Sequence, residues 1–131
     1  MSARPALTLR LLPGTYAVCR LPPETPDPEW AKGEFVSFTR TCQEVSVVCE
    51  EKCVPEGAQR QGDFACLVVA GPLDFALTGV MASLAGPLAD AGISIFPLGT
   101  YDTDYVFVRR NETQRAIAAL EGVGHKILEE A

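Results

Sequence analysis

The succession of hydrophobic patterns between residues 64 and 128 constrains this chain more than any other feature. Residues 64–70 (FACLVVA) form an unbroken apolar run bounded by Asp63 and Gly71, the pattern of a strand covered on at least one face. From residue 79 to 91 the period becomes helical: Val80, Leu84, Leu88 and Ala91 share a face, Thr78 is placed to cap the start and Gly92 to end it. Pro87 falls inside this helix, removes one backbone hydrogen bond and is expected to kink it near Ser83. Residues 93–98 and 104–109 (DYVFVR) read as strands separated by the polar turn GTYDT. Residues 111–123 return to helical spacing through Ala116, Ile117, Leu120 and Val123, with Asn111 or Thr113 as cap, and residues 125–128 supply a last strand. The order is βαββαβ, a split motif of the ferredoxin-like kind.

The N-terminal part reads as a weaker copy of the same order. Residues 7–12, 15–21, 34–40 and 44–50 have strand patterns, but Pro22, Pro23, Pro26 and Pro28 occupy the place of the first helix. Those prolines permit no more than a short helical turn at residues 28–32. Trp30, the one tryptophan, is expected to fill the gap that the missing helix leaves. Residues 55–63 (PEGAQRQGD) suit a linker. The expected fold is therefore α+β: two ferredoxin-like units, a degenerate N-terminal half (1–60) and a complete C-terminal one (61–131), with antiparallel sheets and helices on one face.

Charge and cysteine content narrow the function. The chain has 131 residues, 47% of them apolar, and a net charge of −6, with its 11 basic residues in no run or stripe. That is the wrong footprint for a nucleic-acid binder or an anionic membrane surface. Arg10 and Pro13 interrupt the early leucines, so no signal-peptide core is read, and no run approaches a membrane span. The five cysteines are odd in number and widely spaced, which fits a reducing compartment and a cytoplasmic protein. Cys49 and Cys53 lie four apart, yet they lack a second pair, and His125 is the only histidine, so no zinc site or other metal is expected. Cys19 and Cys66 read as small buried hydrophobes.

Residues 71–104 (GPLDFALTGVMASLAGPLADAGISIFPLGTYDTD) carry the functional signal. They place a glycine-marked loop and a helix start opposite a polar turn, and a helix start offers unpaired N–H groups to an anionic ligand group. The longer stretch that runs on through YVFVRRNETQRAIAAL resembles the ACT-domain family, in particular small bacterial proteins with two ACT-like halves. It is similar also to aspartate kinase regulatory domains and CASTOR-type arginine sensors. The pieces LPGTYAVCRL, FVSFTRT and EVSVVCEE resemble the degenerate first half of that group. The resemblance implies a non-catalytic, allosteric regulatory module, without cofactor, that binds an amino acid or similar small metabolite, often where paired units meet. It places the ligand against Asp74, Phe75, Ala76, Leu77, Thr78 and Gly79 on one side and Ile93, Ser94, Thr100, Asp102 and Asp104 on the other.

The chemistry of these residues agrees with that implication. A zwitterion needs donors for its carboxylate, which the N–H groups after Thr78 provide, and acceptors for its ammonium, which Asp102, Asp104 or a strand carbonyl provide. Each residue also has a purely structural reading: Thr78 and Gly79 as caps, Asp102 and Asp104 as turn residues, Tyr101 and Tyr105 as strand packing. An acylphosphatase would carry an arginine in the loop where this chain has Asp74, and DYVFVRR lacks the glycine of an RNA-binding strand. A binding protein is therefore expected, not an enzyme, assembling as a homodimer through strand edges or helices. The alternative is an interaction or structural module without a ligand.

Overall fold

The computed structural model describes residues 5–74 and 78–129. Its elements follow as β1 (Thr8–Leu11), β2 (Tyr16–Leu21), β3 (Ser37–Arg40), β4 (Val45–Glu50), β5 (Arg60–Val69), α1 (Val80–Asp90), β6 (Phe96–Gly99), β7 (Asp104–Arg109), α2 (Thr113–Gly122) and β8 (Lys126–Glu129). The chain forms two compact units, one of Met1–Pro13 with Ala65–Ala131 and the other of Gly14–Phe64. Strand β5 passes from one to the other: the expected linker is strand from Arg60 onward. The units do not follow the 1–60 and 61–131 order, because β1 belongs with the C-terminal elements.

In the larger unit the strands run β8, β1, β5, β7, β6. Without β1 this is the ferredoxin-like order, and β1 is inserted between its first and last strands. It pairs antiparallel with β5 (Leu9 opposite Val69) and parallel with β8 (Leu9 opposite Ile127), so this sheet is mixed where an antiparallel one was expected. Both helices cover the same face. Leu84 and Leu88 of α1 and Ala116 and Leu120 of α2 form one buried cluster with Leu9, Leu67, Val69, Val106 and Val108. These strand residues alternate along β5 and β7, as a half-buried face requires.

Helix α1 continues through Pro87 to Asp90 because a side chain repairs the defect. Proline cannot donate to the carbonyl of Ser83 four residues earlier. His125 Nε2 lies 2.9 Å from that oxygen, and its Nδ1 accepts the Leu7 N–H at 3.0 Å. The ring is 5% exposed, and the two bonds define it as the Nε2–H tautomer. One imidazole thus joins the approach to β1, the middle of α1 and the start of β8. The helix ends as expected: Gly92 has φ 75°, its N–H donates to Ala89 O and that of Ile93 to Leu88 O. Arg115, paired with Glu112, also donates to Ala91 O and ties the start of α2 to the end of α1.

In the smaller unit the order is β3, β4, β2, β5, the ferredoxin-like order without its helices. Residues 22–36 contain no helix; the short turn expected at 28–32 is a single hydrogen-bonded turn, with Ala31 N–H donating to Pro28 O at 3.3 Å, and polar side chains hold the rest of the segment. Arg40 donates to the carbonyls of Pro23 and Thr25, while Trp30 and Ala31 pack on the cluster of Ala17, Cys19, Val45, Val47 and Cys49, as the sequence leads one to expect of Trp30. The Glu50 carboxylate accepts the Glu34 N–H at 3.2 Å. It lies so close to Gly33 (φ 118°) that a Cβ there would sit 1.8 Å from the oxygen. Glu51 accepts the Asp63 N–H at 2.7 Å and shapes the bulge where two residues of β5 oppose Ala17.

The histidine bridge yields a coupling prediction. Replacing His125 with Leu strands a buried carbonyl and a buried N–H, at a cost of about 2–5 kcal/mol. Pro87→Ala restores a donor for Ser83 O, so it should recover about 1 kcal/mol more in the His125→Leu background than in the wild type. Urea unfolding of the four proteins measures this, and strict additivity would show that the ring does not stand in for the missing N–H.

Candidate functional site

The chain around residues 70–74 passes very close to the turn between β6 and β7. A Cβ at Gly71 would lie 3.2 Å from Asp102 O and 3.3 Å from Thr103 Cβ, so any side chain there would push the turn away by a few tenths of an ångström. The contact is then fastened by hydrogen bonds. Leu73 N–H donates to Asp102 O at 2.7 Å, and Thr103 Oγ1 donates to Val69 O, the last residue of β5, at 2.7 Å. Within the turn, Thr100 N–H donates to Thr103 O at 2.8 Å and Thr103 N–H donates to Thr100 Oγ1 at 3.3 Å. The turn is thereby set by β5 and not by its own flexibility.

These contacts border a half-open cavity of about 140 Å³ lined by Leu73, Asp74 and Val80 on one side and residues 100–104 on the other. Asp74, Thr100, Asp102 and Asp104 thus come together from two parts of the chain, the loop before α1 and the turn after β6. Among the described residues three carboxylates and no cation line it, so it favours an ammonium group and opposes a carboxylate or phosphate. Tyr101, expected to pack within a strand, instead stands in the turn with 89% exposure and lines the cavity.

The other expected residues lie elsewhere. Phe75, Ala76 and Leu77 fall outside the described residues. Thr78 is exposed and does not cap α1: the N-cap is Gly79, with φ 80° and no side-chain bond to the helix. Gly79 is required by that φ, since only Pro5 Cδ, at 3.7 Å, lies near its would-be Cβ. Ile93 is buried in the core and Ser94 is exposed, and neither lines the cavity. The strand expected at 93–98 starts later, at Phe96, because Ile93 is still engaged in terminating α1.

The remaining groups with chemical potential are inert or dispersed. All five cysteines are free thiols, and no cluster of metal-ligating side chains that could hold an ion occurs among the described residues. Burial pushes the Cys49 thiol up to about 12, helped by the neighbouring Cys19, Cys53 and Glu50; it also raises Cys66 and Cys19, the latter against an opposing pull from Arg60. No helix among the described residues is long and apolar enough to cross a membrane.

Comparisons with known proteins place this geometry. A family model described as an ACT domain matches residues 59–122, and a second, described as an N-terminal domain, matches residues 14–57. The crystal structure of protein Atu0741 from Agobacterium tumefaciens is 36% identical, with a TM-score of 0.91, over 97% of this chain and 96% of that one. A protein of unknown function from Vibrio cholerae, VC0802, described as a possible transport protein, is 21% identical with a TM-score of 0.70, over 91% of each chain. The ligand-free regulatory subunit of aspartate kinase from Thermus thermophilus shares the fold at 12% identity and a TM-score of 0.59, over 90% of this chain and 95% of that one. No functionally curated protein matches.

The thiols give a direct check. In the native protein the exposed Cys42 should alkylate readily, whereas Cys19, Cys49 and Cys66 should react only on unfolding. The buried thiols stay protonated in the folded state while their unfolded counterparts ionise near pH 9, so the unfolded state binds fewer protons above that pH. The thiols' contribution to stability should accordingly be complete below about pH 8 and fall as pH rises from about 9 towards 12. Mass-resolved alkylation and urea titrations at pH 8 and 10.5 read both outcomes.

Proposed function

Because the chain belongs to the ACT-domain family, we propose that it is a non-catalytic regulatory protein that binds an amino acid or similar small metabolite through the turn between β6 and β7. The observation that carries this reading is the acidic cavity in which Asp74 and the start of α1 face Thr100, Asp102 and Asp104. An ammonium group is the natural occupant, held by charge-assisted hydrogen bonds to these carboxylates. The fold supports a ligand-binding, regulatory role through its likeness to an aspartate kinase regulatory subunit. The five unpaired cysteines support a reducing, cytoplasmic setting. Strands β3, β6 and β8 end their sheets and support self-association of two copies through sheet edges.

The reading does not need a reactive group. The only histidine is consumed by structure and the buried thiols are held protonated. Binding energy is then the entire output, and it acts by favouring the state of the protein that holds the ligand.

A thermal-shift screen over the protein amino acids tests the proposal. The cognate ligand, at a hundredfold excess over its Kd, should raise Tm by about 5–10 °C. Asp74→Asn and Asp104→Asn should each weaken binding roughly tenfold or more while leaving the unliganded Tm within a few degrees. If no amino acid shifts Tm at saturating concentration, the protein is an interaction module and the cavity is structural.

A further inference from the structure

The acidic cavity can take the ammonium of an amino acid but repels its carboxylate, and a guanidinium nearby is the strongest partner for that carboxylate. A second cavity, about 380 Å³, shares Thr100, Asp102 and Thr103 with the first and adds Arg10 and Tyr105. It lies on the face of the larger unit's sheet that carries no helix. The strand periods place it there. Leu9, Leu67, Val69 and Val106 point into the helix-covered core, so Arg10, Val68 and Tyr105, each one residue out of step, point to the opposite face. Arg10 is directly opposite Val68 in the β1–β5 register. The insertion of β1 beside β5 is therefore what brings a guanidinium towards the turn that carries Asp102.

We infer that Arg10 is the carboxylate anchor of this protein's ligand, and that the ligand is a free α-amino acid recognised by Arg10 at one end and by the carboxylates of the turn at the other. The inference rests on the amino-acid reading above and adds the residue that reads the acid group. Its charge pattern is that of a zwitterion: a fork of N–H donors suited to a carboxylate on β1, and acceptors suited to an ammonium on the turn. Asp102, common to both cavities, is the residue from which the two ends are measured. The β5 backbone supports both sides, because Val69 O holds the turn through Thr103 while Val68 pairs with Arg10.

The test compares each amino acid that binds with its α-carboxamide, by calorimetry, on the wild type, Arg10→Met and Arg10→Lys. The wild type should bind the acid at least tenfold more tightly than the amide. In Arg10→Met that preference should vanish, the acid losing at least tenfold more affinity than the amide, and Arg10→Lys should keep part of it. A merely structural role for Arg10 would weaken acid and amide alike. A preference for the acid that persists in Arg10→Met, or a wild type that binds acid and amide equally, overturns the assignment and leaves the amino-acid reading standing. Failure of every amino acid to bind the wild type overturns both.

Discussion

The larger unit depends on a single imidazole. A proline four residues after Ser83 removes a helix bond from a carbonyl that is buried beneath the next elements, and an unpaired buried carbonyl costs about 1–3 kcal/mol. His125 fills the vacancy and simultaneously satisfies the N–H of Leu7 ahead of β1. Three elements far apart in sequence, β1, α1 and β8, therefore meet at one ring whose tautomer both partners dictate. The same ring is the only histidine of the chain, so the group best suited to proton transfer near neutral pH is committed to holding the fold.

What was legible in the sequence is what short-range pattern encodes. The runs in β5, β7 and α2 and the stop at Gly92 all emerged from period and punctuation, because each is decided within a dozen residues. The partner of β1 was not legible. A leucine-rich strand reads the same beside β2 or beside β8, and the choice is made by pairings with residues more than fifty positions away. The interior of α1 was half legible: the sequence showed the proline, but the donor that serves the Ser83 carbonyl lies 42 residues after Ser83.

The smaller unit shows why a fold can outlive its helices. Its strand order is unchanged although prolines exclude one helix and a three-residue 3-10 turn at Glu51–Cys53 stands in for the other. Carboxylates and an arginine perform the bridging that helix packing performs elsewhere: Arg40 gathers the carbonyls of residues 23 and 25, Glu50 the loop at Gly33, and Glu51 the bulge at Asp63. None of this was visible in advance, since an acidic residue at a strand end reads as solvated surface until the glycine it overhangs is located in space.

The candidate site divides along the same line. Asp74, Thr100, Asp102 and Asp104 were put forward by the resemblance to the ACT-domain family, and they line one cavity. Ile93 and Ser94, named with them, precede the late start of β6 and do not line that cavity, and Arg10 had no local signal whatever. Yet the turn is rigid for a reason that favours a ligand spanning both of its sides. Its carbonyl at Asp102 is committed to Leu73 N–H and its hydroxyl at Thr103 to Val69 O, so the acceptors of the cavity are positioned before any ligand arrives. Preorganisation of this kind lowers the entropy lost on binding. It also means that a ligand joining Arg10 to Asp102 would stiffen β1 against the β6–β7 turn through β5, the strand whose first residues belong to the smaller unit.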